Sequence, residues 1–180
     1  RLFAEINYGP WNHFDGLAPF LPDYGEMPAG AGFYPVDMTK EEFEAWDNPD
    51  KTSLYTLVRR DEKGNLQSVW YHDAYAEQIQ KAAKLLEEAS KLAGDKEFAD
   101  YLSLRAKALL TDDYFESDMA WMDVRNNNVD FVVGPIENYV DALYGYKAAH
   151  EAFILIKDHA WSKQLAHYAE LLPELQTQLP

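Results

Sequence analysis

Tyr75, Ile79, Ala82, Leu86, Ala89 and Ala93 recur at alternating steps of four and three residues. Side chains at that spacing share one face of an α-helix, and a helix with one apolar stripe must bury it against a second element. Gly94 follows the last apolar position as a C-terminal cap. Asp95 is placed to cap a second helix whose inward residues are Phe98, Leu102, Ala106 and Leu109. Tyr75, Ile79, Ala82, Leu86, Ala89, Phe98, Leu102 and Leu109 are expected to be buried.

Around those helices the pattern changes. The first 36 residues hold five of the nine glycines and five of the nine prolines. Long regular elements are not expected there, since proline removes backbone donors, but the many aromatics predict a packed, irregular segment. Thr39 and Glu42 form a capping box for a short helix through Trp46, which Asn48-Pro49-Asp50 ends. Leu54–Arg60 and Leu66–Tyr71 are rich in β-formers on either side of a five-residue loop, the pattern of a hairpin. Asp113 and Glu116 suggest a third helix through Arg125, stopped by left-handed backbone at Asn126-Asn127-Asn128. Val129–Gly134 predicts a strand terminated by Gly134-Pro135, and Phe153–Ile156 another. Ala160–Leu172 predicts a last helix that Pro173 bends or ends. The expected class is α+β: a small mixed or antiparallel sheet of about four strands with several packed helices. One structural unit over 1–180 is expected, made of an irregular segment 1–36, an α+β core 37–158 and a terminal helix 159–180.

Charge and composition exclude several functions. Asp and Glu outnumber Lys and Arg by 31 to 16, for a net charge of −15. Such a chain is repelled by phosphate backbones and anionic lipid, so neither nucleic acid nor a membrane surface is an expected partner. No apolar run reaches the roughly 18 residues of a membrane-spanning helix. The absence of cysteine rules out disulfides and thiol nucleophiles and leaves the compartment open between cytoplasm and bacterial periplasm. Because the chain starts at Arg1 in structured-looking sequence, upstream residues are expected to have been removed.

No catalytic or metal-binding set is expected within the chain. Among the histidines, His13, His72, His150, His159 and His167, His150-Glu151 opens a zincin pattern, but Ile154 and Leu155 stand where its second imidazole would be; His159 and His167, eight apart, could share a helix face, but two ligands two turns apart do not make a zinc site. The serines show no nucleophile elbow, and Gly30-Ala31-Gly32 reads as a turn. Asp112-Asp113, Glu41-Glu42 and Glu87-Glu88 read as caps or solvated faces. Glu137 stands apart because it follows a predicted strand end, where loops display side chains to ligands. From pattern alone it remains either a ligand contact or a plain loop carboxylate.

Several blocks, in order, carry a family resemblance. They are Ile6-Asn7-Tyr8-Gly9-Pro10-Trp11, Phe33 to Phe43, Leu109 to Tyr114, Val133-Gly134-Pro135-Ile136-Glu137-Asn138-Tyr139, Gly145 to Ala149 and Glu151-Ala152-Phe153. From about Phe3 to Asp158 the chain resembles the dipeptidyl-peptidase III family. The resemblance implies a two-lobed zinc exopeptidase that removes N-terminal dipeptides. Its cleft lies between a helical zinc-bearing lobe and a lobe with a β-core. In that family the zinc motif, a His-Glu-x-x-x-His helix with a further Glu ligand, lies C-terminal to the Gly-x-Ile-Glu-x-Tyr block. This chain stops at Pro180 before any such motif, so zinc is expected in a missing C-terminal lobe and no metal in this chain. The resemblance gives Glu137 the peptide's free amino group and places Tyr139 in the same subsite, with Asn138 available through its backbone or amide. A charged residue that can follow the Tyr in relatives is replaced here by Val140.

The implied partners are a peptide substrate and the zinc-bearing lobe, with a dimer through exposed inter-lobe surface as a further expectation. The chain alone is expected to be inactive. The alternative is a free-standing peptide-binding or protein-interaction module without catalysis.

Overall fold

The structure, a computed structural model, describes residues 2–6 and 9–178. Asn7 and Tyr8 of the first family block, and the last two residues of the terminal segment, Leu179 and Pro180, lie outside the described residues. The chain divides into two compact units, Arg1–Ile79 with Pro135–His150, and Gln80–Gly134 with Glu151–Pro180.

In the first unit, a short helix α1 (Leu2–Ile6) and the two-residue strands β1 (Trp11–Asn12) and β2 (Ala18–Pro19) lead into turns. The aromatics here pack less than expected. Phe33 and Tyr34 are buried, whereas Phe14 and Tyr24 are exposed. Left-handed backbone at Leu17, Ala31 and Gly32 turns the chain too often for its rings to share a common face. Helix α2 (Lys40–Ala45) starts at Thr39, whose hydroxyl accepts from Glu42 N at 3.1 Å. The other half of the expected capping box is missing, because the Glu42 carboxylate binds Arg60 at 2.8 and 2.9 Å instead.

Strands β3 (Thr56–Arg60) and β4 (Leu66–Trp70) form the expected antiparallel hairpin, with Arg60 opposite Leu66 and Gly64 left-handed in the loop. A one-turn helix, α3 (Tyr71–Ala74), follows directly. The core of the unit gathers Phe33, Tyr34, Phe43, Leu57, Val58, Leu66 and Tyr71. Full burial of side chains of this size stabilises by roughly 1.5–3 kcal/mol each.

Helix α4 (Ala76–Leu92) realises the apolar stripe, but its buried face is Ile79, Ala83 and Leu86, and Ala89 is exposed. The face turns through Ser90, whose hydroxyl donates to Ala99 O at 2.8 Å. A hydrogen bond between the two helices fixes their rotation where alanines of equal size do not. Tyr75 and Phe98, expected in the core, are half-buried. Gly94 is not left-handed; helix α5 (Lys96–Thr111) begins at once, capped by Asp95, which accepts from Phe98 N at 2.9 Å. Its buried residues are Tyr101, Leu102, Arg105, Ala106, Ala108 and Leu109.

Helix α6 (Phe115–Asp123) follows Asp112, which closes α5 in the left-handed region. Asp113 therefore does not cap α6; Tyr114 precedes it without a side-chain cap. None of Asn126, Asn127 and Asn128 is left-handed. The helix ends before them, at Val124, whose N–H donates to Trp121 O at 3.2 Å, and the Asn127 amide donates to Val129 O beyond it.

The last ribbon pairs β5 (Val129–Glu137) with β6 (Ala149–Ile156). Both are longer than expected. Gly134-Pro135 does not end β5: glycine takes the turned backbone, and proline is tolerated where its missing N–H needs no ladder partner. The α+β class holds, with the strands of the described residues distributed over three two-stranded sheets. Helix α7 (His159–Thr177) starts at Asp158, which accepts from Ala160 N and Trp161 N. It runs through Pro173, so proline neither ends it there nor limits it to Leu172. No residue of α7 is buried. Among the described residues, no helix is long and apolar enough to cross a membrane.

Candidate functional site at the end of strand β5

Gly134 fixes where β5 runs. Its φ is +139°, and a Cβ there would stand 3.2 Å from Tyr114 Cε1 and 3.3 Å from Arg105 Nη1. Only a residue without a side chain lets the strand backbone lie this close to that pair. Arg105 is buried, with its guanidinium 5.5 Å from the Tyr101 ring centre and 5.3 Å from that of Tyr114, and it is ion-paired to Asp118. The contact surface under Gly134 is therefore stiff. Gly134→Ala is expected to cost roughly 1–3 kcal/mol, from backbone strain and crowding together. Thermal unfolding of the variant checks this; an unchanged melting temperature would show that Tyr114 and Arg105 yield freely.

Three residues further on, Glu137 ends the strand, with its side chain exposed. It is a strand terminus and not, as expected, a residue beyond one, because β5 continues through Pro135. Asn138 follows, its amide nitrogen donating to Gly145 O at 2.6 Å and its carbonyl accepting from Asp141 N at 3.1 Å. In this chain it braces a loop. Tyr139 is 70% exposed. The three expected site residues thus sit consecutively at one place, all exposed: a carboxylate and a phenol ring, with the amide between them bonded across the loop to Gly145 O.

Sequence reasoning missed what holds the loop. Asp141 is buried and accepts from Tyr34 Oη at 2.7 Å and from the backbone N–H of Leu143, Tyr144, Tyr146 and Lys147 at 3.0–3.1 Å. Burial pushes the Tyr34 hydroxyl well above the usual phenol range, and its bond to Asp141 adds to the shift. Lys147 is fully buried and donates to Lys51 O, Ser53 O and Thr56 Oγ1 at 2.8, 3.0 and 2.9 Å. Burial pushes its ammonium down to about 8. The one local signal was Asp141 itself, since aspartate two and three residues before free backbone N–H groups commonly forms such turns.

Among the described residues, no three His, Asp or Glu side chains come together as a metal site. His150 packs on the rings of Tyr71 and Tyr75, His72 lies 3.6 Å from Asp73, and His167 lies 3.8 Å from Glu170 on its own helix. These residues do not fit a zinc ion. The Glu137 end of β5 has the chemistry to bind a cationic group.

Comparison with known proteins puts this geometry in context. The model of peptidase family M49 matches residues 39–180, more than half of the chain. Over 99% of its length the chain is similar to the solved structure of DPP III from Caldithrix abyssi, with 40% identity and a TM-score of 0.89, and it covers 35% of that chain. The structure of dipeptidyl-peptidase III from Corallococcus sp. strain EGB is similar over 99% of the chain too, with 37% identity and a TM-score of 0.83, and 34% of it is covered. Nudix hydrolase 3 of Arabidopsis thaliana is 32% identical over 85% of the chain, which covers 23% of that protein. The chain therefore spans about a third or less of the length of these relatives. With its family blocks, its fold and the match over residues 39–180 in agreement, this chain belongs to peptidase family M49.

Proposed function

We propose that this chain is the substrate-binding lobe of a zinc-dependent dipeptidyl-peptidase III-like exopeptidase, inactive by itself, and that Glu137 binds the free amino group of the peptide. The observation that carries the reading is the placement of Glu137 and Tyr139, exposed together at the end of β5 on a loop held from within. A carboxylate there accepts charge-assisted hydrogen bonds from an ammonium, and the two dipeptidyl-peptidase III structures share this fold at 37–40% identity. The excess of acidic residues favours a cationic ligand end in the same direction.

The zinc and the base that activates its water belong, in this reading, to the remainder of the complete polypeptide, which packs on the exposed apolar face of α7. The isolated chain uses the same face to dimerise. What the chain itself does is bind and orient: it fixes the peptide's N-terminus and so sets how many residues reach the scissile bond.

The test is Glu137→Gln in the complete peptidase. The substitution keeps shape and removes charge. Loss of one charge-assisted contact is expected to cost roughly 1.5–3 kcal/mol, or about one to two decades in kcat/KM. Zinc content and melting temperature should hardly move. N-acetylated peptides should be poor substrates of the wild type, and the variant should discriminate less between free and acetylated forms. Unchanged kcat/KM and unchanged amine selectivity would make Glu137 a plain loop carboxylate.

A further inference from the structure

We propose that Asp141 is the positioning residue of the amine subsite: without touching the peptide, its buried carboxylate fixes the loop that presents Glu137 and Tyr139. The inference rests on the reading of Glu137 given above.

The geometry closes on Asp141 from both sides. Upstream, its N–H donates to Asn138 O at 3.1 Å, one residue beyond Glu137 and one before Tyr139. Downstream, its own carbonyl accepts from Gly145 N at 2.9 Å, and Gly145 O in turn accepts from the Asn138 amide at 2.6 Å. Asn138 and Gly145 are thereby drawn together across the base of the loop, and Gly145 takes a φ of +70° that glycine adopts at little cost. Inside this ring the carboxylate collects its remaining donors. Oδ1 takes Leu143 N and Tyr144 N, both at 3.1 Å; Oδ2 takes Tyr146 N at 3.0 Å, Lys147 N at 3.1 Å and the Tyr34 hydroxyl at 2.7 Å.

Every donor at this carboxylate points at an oxygen, so an amide cannot replace it. In Asp141→Asn one oxygen becomes an NH2 group, which must face either the Leu143 and Tyr144 N–H groups or those of Tyr146 and Lys147. Two backbone donors then lose their acceptor and meet another donor in a buried place. The loop is tied to the rest of its unit by Tyr34, which sits in the aromatic core, and by the stacking of Tyr144 on Phe43 with ring centres 4.5 Å apart. Loosening Asp141 leaves the core and the Tyr144 stacking in place and removes the bonds that hold the segment from Asn138 to Tyr146 from within. Glu137 adjoins that segment and Tyr139 lies within it.

A general structural role would lower stability and leave selectivity alone; a positioning role moves selectivity. The experiment uses the complete peptidase as wild type, Asp141→Asn, Tyr34→Phe and Glu137→Gln, with a free-amine peptide and its N-acetylated counterpart as probes. For Asp141→Asn, KM for the free-amine peptide should rise on the order of tenfold, since small misplacements of a binding group are costly. kcat should change less, and the preference for the free amine over the acetylated peptide should shrink. Tyr34→Phe removes a single donor and keeps the ring, so it should shift KM and selectivity the same way by about two- to fourfold. If Asp141→Asn folds and keeps wild-type KM and amine preference while Glu137→Gln loses them, the positioning role is overturned and the Glu137 reading stands. If Glu137→Gln is itself neutral, the subsite reading falls and this inference with it. Should Asp141→Asn fail to fold, Tyr34→Phe decides: an unchanged KM and preference overturns the proposal, and a rise in KM with reduced preference supports it.

Discussion

Lys147→Met is expected to destabilise the chain by roughly 2–5 kcal/mol, the range for breaking a buried, fully hydrogen-bonded charge. Three protons of the ammonium meet three oxygens, on Lys51, Ser53 and Thr56. Methionine fills similar space but offers those acceptors no proton, at a position where the Lys147 side chain itself has no exposure. Part of the loss is offset, because the wild type carries the cost of holding a charge away from water. That offset gives the prediction a pH signature. Burial lowers the Lys147 pKa from 10.5 to about 8. Between those values the unfolded chain binds more protons than the folded one, so the Lys147 contribution to stability rises with pH across that window. Below about pH 8 both states are protonated and the contribution is level. The difference in unfolding free energy between wild type and Lys147→Met should therefore grow as pH rises from 8 towards 10.5. Denaturant unfolding of both proteins at several pH values measures it; a small difference at every pH would show that Lys147 does not hold the segment 51–56, and one that shrinks over this window would show that the three hydrogen bonds outweigh burial and raise the Lys147 pKa.

Lys147 also shows where sequence reading ends. Period and caps are local, and they were legible: Asp95 and Thr39 cap as their positions indicate, and the hairpin 56–70 has its five-residue loop. Local rules failed where two of them competed. Ala82, Ala83 and Ala89 are equal in size, so the sequence could not say which of them faces inward until the Ser90–Ala99 bond fixed the rotation of α4. Gly134-Pro135 carries the signature of a strand end, yet β5 continues, because the glycine serves a close approach to Tyr114 and Arg105. Asp112, not the asparagine run, takes the left-handed backbone. At the expected site, its place after a predicted strand end singled out Glu137 but left it either a ligand contact or a plain loop carboxylate, and only the family likeness suggested a role for it. Asp141 and Lys147 were invisible as a device because their partners are distant in sequence: Tyr34 lies 107 residues from Asp141, and Thr56 lies 91 residues from Lys147.

The largest expected effect concerns α7. Trp161, Leu165, Tyr168, Leu172 and Leu175 recur at steps of four, three, four and three, so they share one face of the helix. All five are more than half exposed. On β6, Phe153, Ile154, Leu155 and Ile156 are exposed too. An apolar stripe on a helix is stabilising only when something covers it, and helices without tertiary packing are marginal in water. In the proposed complete peptidase the cover is the remainder of the polypeptide. Leu165→Glu with Leu172→Glu puts two charges into that contact. Each leucine forfeits roughly 1.5–3 kcal/mol of burial, and each carboxylate adds a desolvation cost. Together these exceed about 3 kcal/mol, which is more than a hundredfold in affinity. Co-expressing the chain with the remaining two thirds of a family M49 polypeptide, then measuring association of the purified parts, tests this directly. The double variant should fail to assemble, while Lys163→Glu with Glu170→Lys, on the polar side of the helix, should assemble as the wild type does. Sedimentation of the isolated chain should show the same order, with self-association in the wild type lost in the double variant. Assembly of the double variant at wild-type affinity would mean that the stripe faces solvent in the working enzyme, and that the remainder of the peptidase docks elsewhere.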